Sequence, residues 1–551
     1  MRLVERRIGL LFAAFVLCFA VVLARALWLQ GVRGGALASE ATSQQTELVT
    51  VPGLRGRVLD RRGQELAVSE DAASIYATPY QVKDPERTAS RLASLLNVSR
   101  NELLKGLTAN SGFSYLAHKV DVPTAEKIKQ MKLAGIGTLP DSRRSYPQGN
   151  LAAQVLGAVG SDNQGLSGLE AGQQSVLGGT DGQERIVKDA LGEPIRLETV
   201  TGASDGHDIK TTIDAAIQAK TEQVIASVGQ QYAAKGATAI VMDPHNSQIL
   251  AMANWPGVDL NNLASASSSD LANQATGFTY EPGSTFKAFT VAGALEDHVV
   301  TPDTTFHLEP TIHVADRTIQ DAEPRGPVDL SVAQILAQSS NVGAVTIGLK
   351  LGATKFSHWV SRFGFGRPTG IQFPAEERGI VPSYADYSGS SIGNLPIGQG
   401  LSVTPIQMMA AYAAIANGGI LRRPQLLEQV DGQPVSEPAG HRVIKAGVAA
   451  EIRQMLEGVL APGGTASEVS VPGYTLAGKT GTAQVAENGG YSDTKFVASF
   501  MGFAPAANPR LLVAVIVDEP QGAIYSGGSV AAPAFGEIAT FALPYLGIAP
   551  D

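Results

Sequence analysis

The segment EPGSTFK at residues 281–287 places a serine and a lysine three residues apart, at the start of the apolar stretch AFTVAGALE. That stretch predicts a helix with Ser284 near its N-terminus. Three residues make nearly one helical turn, so the Lys287 amine is predicted to lie on the same face as the Ser284 hydroxyl. A serine becomes a good nucleophile when a base removes its proton, and a lysine is such a base only if its pKa is lowered. Alone the pair is a weak signal, because an exposed serine and lysine are the ordinary interpretation.

A second polar group is the tripeptide Ser-Ser-Asn at residues 339–341, which separates two apolar patterns of helical period. A polar tripeptide at such a junction is most often a helix cap. The chemical interpretation is that Ser339 shuttles a proton, while Asn341 orients Lys287 or a substrate amide.

The third group is Lys-Thr-Gly-Thr, Lys479 to Thr482, followed by alternating residues and a predicted turn at Asn488-Gly489-Gly490. On a strand, Thr480 and Thr482 share a face, so their hydroxyls can bind a carboxylate while Lys479 adds positive charge. Gly481 allows another backbone to approach closely.

Together the three groups resemble the S-x-x-K, S-x-N and K-T-G motifs of the penicillin-binding proteins, in the same order. The similarity extends over nearly the whole chain. The N-terminal apolar segment, RGRVLDRRG at 55–63 and Gly168-Leu169-Glu170 look like class B members of that family. The segment GQGLSVTPIQMMAAYAAIANGG at 398–419 most resembles the division-specific, FtsI-type enzymes.

The resemblance implies a serine D,D-transpeptidase that cross-links peptidoglycan stem peptides. Ser284 would attack the carbonyl of the penultimate D-alanine with Lys287 as base, and Asn341 would hold Lys287 or the donor peptide. Ser339 and Lys479 would relay a proton to the leaving amine.

Thr480, Gly481 and Thr482 would bind the terminal carboxylate, and the backbone N–H groups of Ser284 and Thr482 would form the oxyanion hole. An amine of a neighbouring stem peptide would open the acyl-enzyme, and β-lactams would acylate Ser284 and remain. No cofactor and no metal are expected, and the sequence offers no clustered histidines.

The apolar patterns in the segments around these groups predict an α+β fold. A hairpin is predicted over 237–254, and apolar strands over 496–503 and 511–517, with helices between them. This order favours an antiparallel sheet flanked by helices over a doubly wound parallel sheet. Before it, helix starts are predicted at Asp84-Pro85 and at the capping box from Ser99 to Glu102, within a mixed α/β region.

The N-terminus predicts a membrane anchor. Residues 8–24, IGLLFAAFVLCFAVVLA, carry no charge, and the apolar pattern continues through Trp28 while Arg25 reaches the headgroups. The leading arginines would stay in the cytoplasm. The alternative is a cleaved signal peptide, because Ala24-Arg25-Ala26 resembles a processing site.

Four regions are therefore expected: a cytoplasmic tail (1–7), a transmembrane helix (8–30), an elongated dimerisation-like pedestal (31–205) and a transpeptidase domain (206–551). A length of 551 residues fits several domains, and 44% apolar residues exclude a disordered chain. The net charge of -9 argues against a nucleic-acid partner, and the single Cys18 excludes an intrachain disulfide.

Competing interpretations start from other motifs. GYTLAGKT at 473–480 matches a P-loop, but no helix is predicted after it. Residues 389–393, GSSIG, match a nucleophile elbow, but no buried strand precedes them, which favours a loop. An elongation-specific transpeptidase, or a membrane β-lactam sensor or scaffold, would keep the serine motifs. The expected partners are stem peptides, β-lactams, the membrane, a lipid-linked glycan polymerase of the SEDS type and other divisome or elongation proteins.

Overall fold

The computed structural model describes residues 2–35, 46–188, 194–263, 266–487 and 489–551. The chain folds into two compact units. The smaller unit comprises residues 1–54, 71–142 and 179–205, and the larger unit comprises residues 55–70, 143–178 and 206–551. The last crossing of the chain into the larger unit falls at Gly206, where the second domain was predicted to begin.

The smaller unit combines short helices with two antiparallel sheet regions. A three-stranded sheet has the order β1 (Thr46–Val51), β6 (Gly182–Lys188), β7 (Pro194–Thr201). The second half of β3 (Glu65–Ala77) pairs with β4 (Ser114–Asp121). The helices and the remaining strand, which continues into the larger unit, are α1 (Arg2–Leu27), α2 (Pro85–Leu96), α3 (Arg100–Leu107), α4 (Val122–Gln130) and β5 (Ile136–Ser145).

Two helices of the smaller unit begin at the predicted capping residues. The Asp84 side chain accepts a hydrogen bond from the Arg87 N–H at the start of α2, and Pro85 occupies the first helical position. The Ser99 hydroxyl accepts from the Glu102 N–H at the start of α3. Leu92, Leu103 and Leu107 are buried in a separate small core.

Helix α1 continues into a π-helical turn at Trp28–Val32, and the apolar helix from Val4 to Val32 is long enough to cross a membrane. Its side chains are exposed in the described structure. The guanidinium groups of Arg25 and Arg33 lie 4.6 and 5.1 Å from the centre of the Trp28 ring. An aromatic ring with adjacent cations is typical of a membrane interface. Among the described residues it is the one helix of this length and hydropathy, and it fits the predicted anchor.

The larger unit is built on a five-stranded antiparallel sheet of order β10-β9-β21-β20-β19. The predicted hairpin forms β9 (Gly236–Asp243) and β10 (Gln248–Trp255), and the predicted C-terminal strands form β20 (Gly490–Ala504) and β21 (Leu511–Asp518). Edge strand β19 (Ala477–Glu487) carries the Lys-Thr-Gly-Thr motif. Of the turn predicted before β20, Asn488 lies outside the described residues. The sheet confirms the antiparallel α+β prediction.

Helices cover both faces of this sheet, and every residue of its central strand β21 is buried. The long C-terminal helix was not predicted. The helices of the larger unit are α5 (Ala153–Leu156), α6 (Gly168–Gly172), α7 (Gln174–Leu177), α8 (Ala215–Gln231), α9 (Gln274–Gly277), α10 (Lys287–Glu296), α11 (Val332–Ala337), α12 (Asn341–Leu351), α13 (Ala353–Arg362), α14 (Ser391–Asn394), α15 (Pro405–Ala416), α16 (Ala446–Glu457), α17 (Gly527–Val530) and α18 (Ala532–Tyr545). Its short strands are β2 (Val58–Leu59), β8 (Ile209–Thr211), β11 (Thr305–Leu308), β12 (Thr311–Val314), β13 (Arg317–Gln320), β14 (Val328–Ser331), β15 (Ile420–Leu421), β16 (Leu427–Val430), β17 (Gln433–Pro434) and β18 (His441–Arg442).

The segment at residues 55–63 has a structural role within the larger unit. The buried Arg55 guanidinium donates to the Glu170 carboxylate at 2.6 Å, and Arg144 donates to the other oxygen of Glu170 at 2.6 Å. Glu170 is completely buried. A buried carboxylate is tolerated when cations and hydrogen bonds satisfy both of its oxygens. These contacts give Arg55 a structural role as a buried partner of Glu170.

Candidate active site

Ser284 lies on a tight turn that directly precedes a buried helix. Residues Gly283–Phe286 form a 3-10 turn, and α10 begins at Lys287. Residues three apart eclipse each other in a 3-10 helix, so the serine and the lysine share a face as predicted. Gly283 has a φ of +53°, which a glycine adopts without strain, and its N–H donates to the Gly398 carbonyl at 3.0 Å.

The Lys287 amine contacts the Ser-Ser-Asn junction. Its Nζ lies 2.5 Å from the Ser339 carbonyl oxygen, 2.7 Å from Asn341 Oδ1 and 3.2 Å from Ser339 Oγ. No hydrogen bond within the described ranges joins Lys287 Nζ to Ser284 Oγ. Ser284 and Lys287 thus share a face of the turn, but the hydrogen bonds of the Lys287 amine go to Ser339 and Asn341 of the Ser-Ser-Asn tripeptide.

The junction between α11 and α12 has an uncommon backbone conformation at Ser339. Its φ of +61° falls in the left-handed region, which costs a residue with a side chain roughly 1 to 3 kcal/mol. This conformation coincides with the short contact between the Ser339 carbonyl and the Lys287 amine.

Both lysines of the three motifs are completely buried. Burial lowers the pKa of Lys287 to about 7, although the negative charge of Asp321 acts in the opposite direction. Burial, and then the nearby charge of Lys287, hold the pKa of Lys479 well below its usual range. About half of the Lys287 amine is therefore neutral near pH 7, and the neutral form is the one that a general base requires.

Strand β19 places the third motif at the edge of the main sheet. Lys479 Nζ donates to the Thr480 carbonyl and hydroxyl oxygens at 3.2 and 3.3 Å, and the Thr480 and Thr465 hydroxyls lie 2.6 Å apart. Thr480 is buried, whereas Thr482 is exposed and its hydroxyl accepts from the Gly527 N–H at 3.0 Å. Thr480 and Thr482 occupy alternate strand positions, but only Thr482 is exposed.

Gly481 permits the close approach of β19 to the serine turn. A Cβ atom at this position would overlap the Ser499 hydroxyl and the Thr285 methyl group, and it would lie 3.0 Å from the Pro282 carbonyl oxygen. The sequence predicted a close backbone approach at this glycine. Since β19 is an edge strand, one row of its backbone groups faces away from its sheet partner β20.

Sequence reasoning missed Asp321, which follows β13 directly. Both of its carboxylate oxygens lie 3.0 Å from the Ser340 hydroxyl, and Oδ1 also accepts from the Val342 N–H at 3.0 Å. Asp321 is 19 residues from Ser340 along the chain. No local pattern could have indicated the contact.

Glu281 is a second unpredicted contact, although its motif was singled out. Its carboxylate accepts from the Gly400 N–H at 3.0 Å and from the Tyr491 hydroxyl at 3.2 Å. Burial raises the pKa of Glu281. The residue thus connects the segment before Ser284 with the β19–β20 hairpin and with the loop after Gly398.

The two competing motifs do not have the required context. Lys479 and Thr480 lie inside strand β19, so no helix N-terminus is available to hold phosphate as in a P-loop. Ser391, the serine of the elbow-like motif, begins the four-residue helix α14. No strand leads directly into it, since residues 381–390 form a short 3-10 helix, a turn and otherwise irregular backbone, in agreement with the rejection of an elbow, although the predicted loop is partly helical.

Comparison with known proteins agrees with the three motifs. Residues 237–540 match the penicillin binding protein transpeptidase domain, and residues 50–211 match the penicillin-binding protein dimerisation domain. Stage V sporulation protein D of Bacillus subtilis is 35% identical over 99% of this chain and 87% of its own length. Peptidoglycan D,D-transpeptidase FtsI of Escherichia coli is 32% identical over 99% of this chain and 92% of its own length.

Among solved structures, penicillin binding protein 3 of Mycobacterium tuberculosis in complex with aztreonam is similar, with a TM-score of 0.71 and 28% identity. The match covers 91% of this chain and 98% of the other. The fold and the serine-lysine site define a penicillin-binding serine transpeptidase. The chain belongs to the penicillin-binding proteins, with the dimerisation and transpeptidase domains of the class B members.

Proposed function

We propose that this chain is a peptidoglycan D,D-transpeptidase that cross-links stem peptides through an acyl-enzyme on Ser284. The observation that carries the proposal is the environment of Lys287, a buried amine held by the Ser339 carbonyl and Asn341 Oδ1. A neutral amine has two N–H groups and one lone pair. When both N–H groups donate to these oxygens, the lone pair remains to accept the Ser284 proton.

Acylation then begins with the transfer of the serine proton. Lys287 takes the proton from Ser284 Oγ, which forms an ester with the carbonyl carbon of the penultimate D-alanine. The C–N bond to the terminal D-alanine breaks, and the proton held by Lys287 passes through the Ser339 hydroxyl, with Lys479, to the leaving amine, so that Lys287 is neutral again. Asn341 keeps Lys287 in place throughout.

The carboxylate of the terminal D-alanine binds at Thr480, Gly481 and Thr482, beside the Lys479 amine. The backbone N–H groups of Ser284 and Thr482 stabilise the oxyanion, and each donor contributes about 3 kcal/mol to the transition state. The amine of a second stem peptide then attacks the ester carbonyl, the C–O bond to Ser284 breaks, and a proton of the amine returns to Ser284 Oγ. The new amide bond is the cross-link. A β-lactam acylates the same oxygen, but the nitrogen released by ring opening stays attached to the acyl group. No fragment departs, and the ester persists.

The anchor places this chemistry outside the cytoplasm of a bacterial cell. Residues 1–7 stay in the cytoplasm and residues 8–30 span the membrane. Residues 31–205 form the pedestal, and residues 206–551 form the exported transpeptidase domain. The three arginines before the span support this orientation, since positive residues remain on the cytoplasmic side.

The cellular role within this proposal is septal cross-linking, which the FtsI-like segment at residues 398–419 supports. The pedestal docks a lipid-linked glycan polymerase of the SEDS type and further divisome proteins. A tagged copy concentrated at the division site supports this role, and a copy distributed along the side wall indicates the elongation alternative.

The proposal is tested by labelling membranes with a fluorescent penicillin. The wild type is expected to give one covalent band, and Ser284→Ala is expected to remove it. Ser391→Ala, which changes the serine of the elbow-like motif, is the matched control and should label like the wild type. Stoichiometric label on the Ser284→Ala protein would refute the assignment of the nucleophile.

A further inference from the structure

Asp321 organises the N-terminus of the helix that carries Asn341. Ser340 caps α12 by accepting from the Gly343 N–H, and its own hydroxyl donates to the Asp321 carboxylate. The Val342 N–H, in the first turn of α12, donates to the same carboxylate at 3.0 Å. A negative charge at a helix N-terminus is stabilised by the N–H groups that have no partner within the helix.

The residue before Asp321 completes this support. The Gln320 carbonyl oxygen accepts from Asn341 Nδ2 at 2.9 Å, while Asn341 Oδ1 accepts from Lys287. The Asn341 amide is therefore fixed on both sides, with its NH₂ group toward the end of β13 and its oxygen toward the lysine. The last residue of β13 and the residue that follows it thus determine where Asn341 presents its oxygen.

The Asp321 charge is paired on its other side with Arg325. Arg325 Nε lies 2.6 Å from Asp321 Oδ2, and the two side chains are 22% and 11% exposed. Arg325 also donates to the Leu308 and Gly326 carbonyls, which fixes its guanidinium group. Asp321 therefore carries a partly screened negative charge near the site.

In the described part of the chain, two charged side chains act on Lys287. Asp321 attracts the ammonium form, whereas Lys479 on β19 repels it. Ser284, Ser339 and Asn341, the other side chains of the three motifs around it, are uncharged at neutral pH. Glu281 is directed to Gly400 and Tyr491 instead.

We propose that Asp321 is a positioning residue for acylation, which fixes Asn341 against Lys287 and supplies the negative charge that opposes deprotonation of this lysine. The inference rests on the proposed function, because it assigns a role within the same reaction. The positive charge of Arg325, which pairs with Asp321, partly offsets this negative charge. Asp321 therefore favours the ammonium form of Lys287, and Arg325 weakens that effect.

The test is the pH dependence of acylation by fluorescent penicillin, measured with the full-length protein between pH 5 and 9. Asp321→Asn removes the negative charge, so the acid limb of the profile is expected to move about one pH unit lower. Arg325→Gln leaves the Asp321 charge unscreened, so the limb is expected to move to higher pH. A purely structural role would slow labelling or weaken folding without moving the limb.

Two further variants sharpen the result. Asp321→Glu keeps the charge and should retain the wild-type limb. Asp329→Asn removes an exposed carboxylate that pairs with His307, and it should change nothing. An unshifted limb in both Asp321→Asn and Arg325→Gln would overturn the inference. If Asp321→Asn does not fold, Arg325→Gln is the test. A shift of its acid limb to higher pH supports the inference, and no shift or a shift to lower pH overturns it. Absence of label on wild-type Ser284 would instead refute the proposed function.

Discussion

The reactivity of Ser284 depends on the protonation state of one buried neighbour. Burial disfavours the charged form of Lys287 and lowers its pKa to about 7, so about half of its amine is neutral near pH 7. Lys479 is buried close to it, and the charge of either lysine makes the other harder to protonate. Burial of the two amines therefore costs folding stability, and the same burial makes Lys287 a base.

The pH profile of the wild type follows from this pKa. Below about pH 7 Lys287 is an ammonium group and cannot accept the serine proton, so acylation by a β-lactam should fall on the acid side. We expect half of the maximal acylation rate near pH 7. Stopped-flow or gel labelling at several pH values measures the profile. A rate that stays constant from pH 5 to 9 would rule out Lys287 as the base.

Removal of the lysine should have a large kinetic effect. Lys287→Ala is expected to fold, as judged by circular dichroism, and to label roughly 100- to 10,000-fold more slowly because the general base is lost. Lys355→Ala, an exposed lysine on α13, is the control and should label normally. Normal labelling of Lys287→Ala would contradict its role.

At the residue scale the sequence predicted the motif side chains but not their supporting contacts. Ser284, Lys287 and Asn341 were identifiable because their types and order form a known pattern. Asp321 and Thr465 were not, since each reaches the site only through tertiary folding. Their separations from Ser340 and Thr480 are 19 and 15 residues, and no periodicity relates such positions.

At the element scale, edge strand β19 must lie close to the turn that carries Ser284. The hairpin of β9 and β10, strands β20 and β21, and the caps of α2 and α3 were predictable, because alternation and capping are local signals. The 3-10 turn at Ser284 was not distinguished from the helix that follows. Helix α18 was also missed, and its apolar sequence resembled that of the buried strands before it.

A methyl group at Gly481 tests the strand placement. Gly481→Ala is expected to push β19 away from the serine turn and to slow acylation about 100-fold, because small displacements of reacting groups are costly. Gly447→Ala, in the first turn of α16 with no neighbouring atom within 4 Å, is the control. It should leave labelling unchanged and raise the free energy of unfolding by about 0.5 to 1 kcal/mol. Equal labelling by both variants would show that the approach of β19 is unimportant.

At the scale of the whole molecule, the chain crosses repeatedly between its two units. Sequence patterns predicted a boundary near residue 205 but not the return of residues 55–70 and 143–178 to the larger unit. The buried contacts of Arg55 and Arg144 with Glu170 show why, since they join segments that are far apart in sequence. Such long-range pairings cannot be read from local composition.

The apolar helix from Val4 to Val32 should hold the protein in the membrane. We expect the protein to remain in the pellet after alkaline carbonate extraction. A Leu17→Arg, Val21→Arg double variant should be released, because each arginine in the span costs about 3 kcal/mol of insertion free energy. Release of the wild type at its full mass would argue against a spanning anchor, and release after loss of the N-terminal segment would indicate a cleaved signal peptide.

The most direct measurement is the position of the covalent penicillin adduct. The protein is incubated with benzylpenicillin, digested with trypsin and mapped by mass spectrometry. We expect a single adduct on the peptide that ends at Lys287, with fragment ions that locate it on Ser284. An adduct on any other residue, or none after complete incubation, would contradict the assignment of Ser284 as the nucleophile.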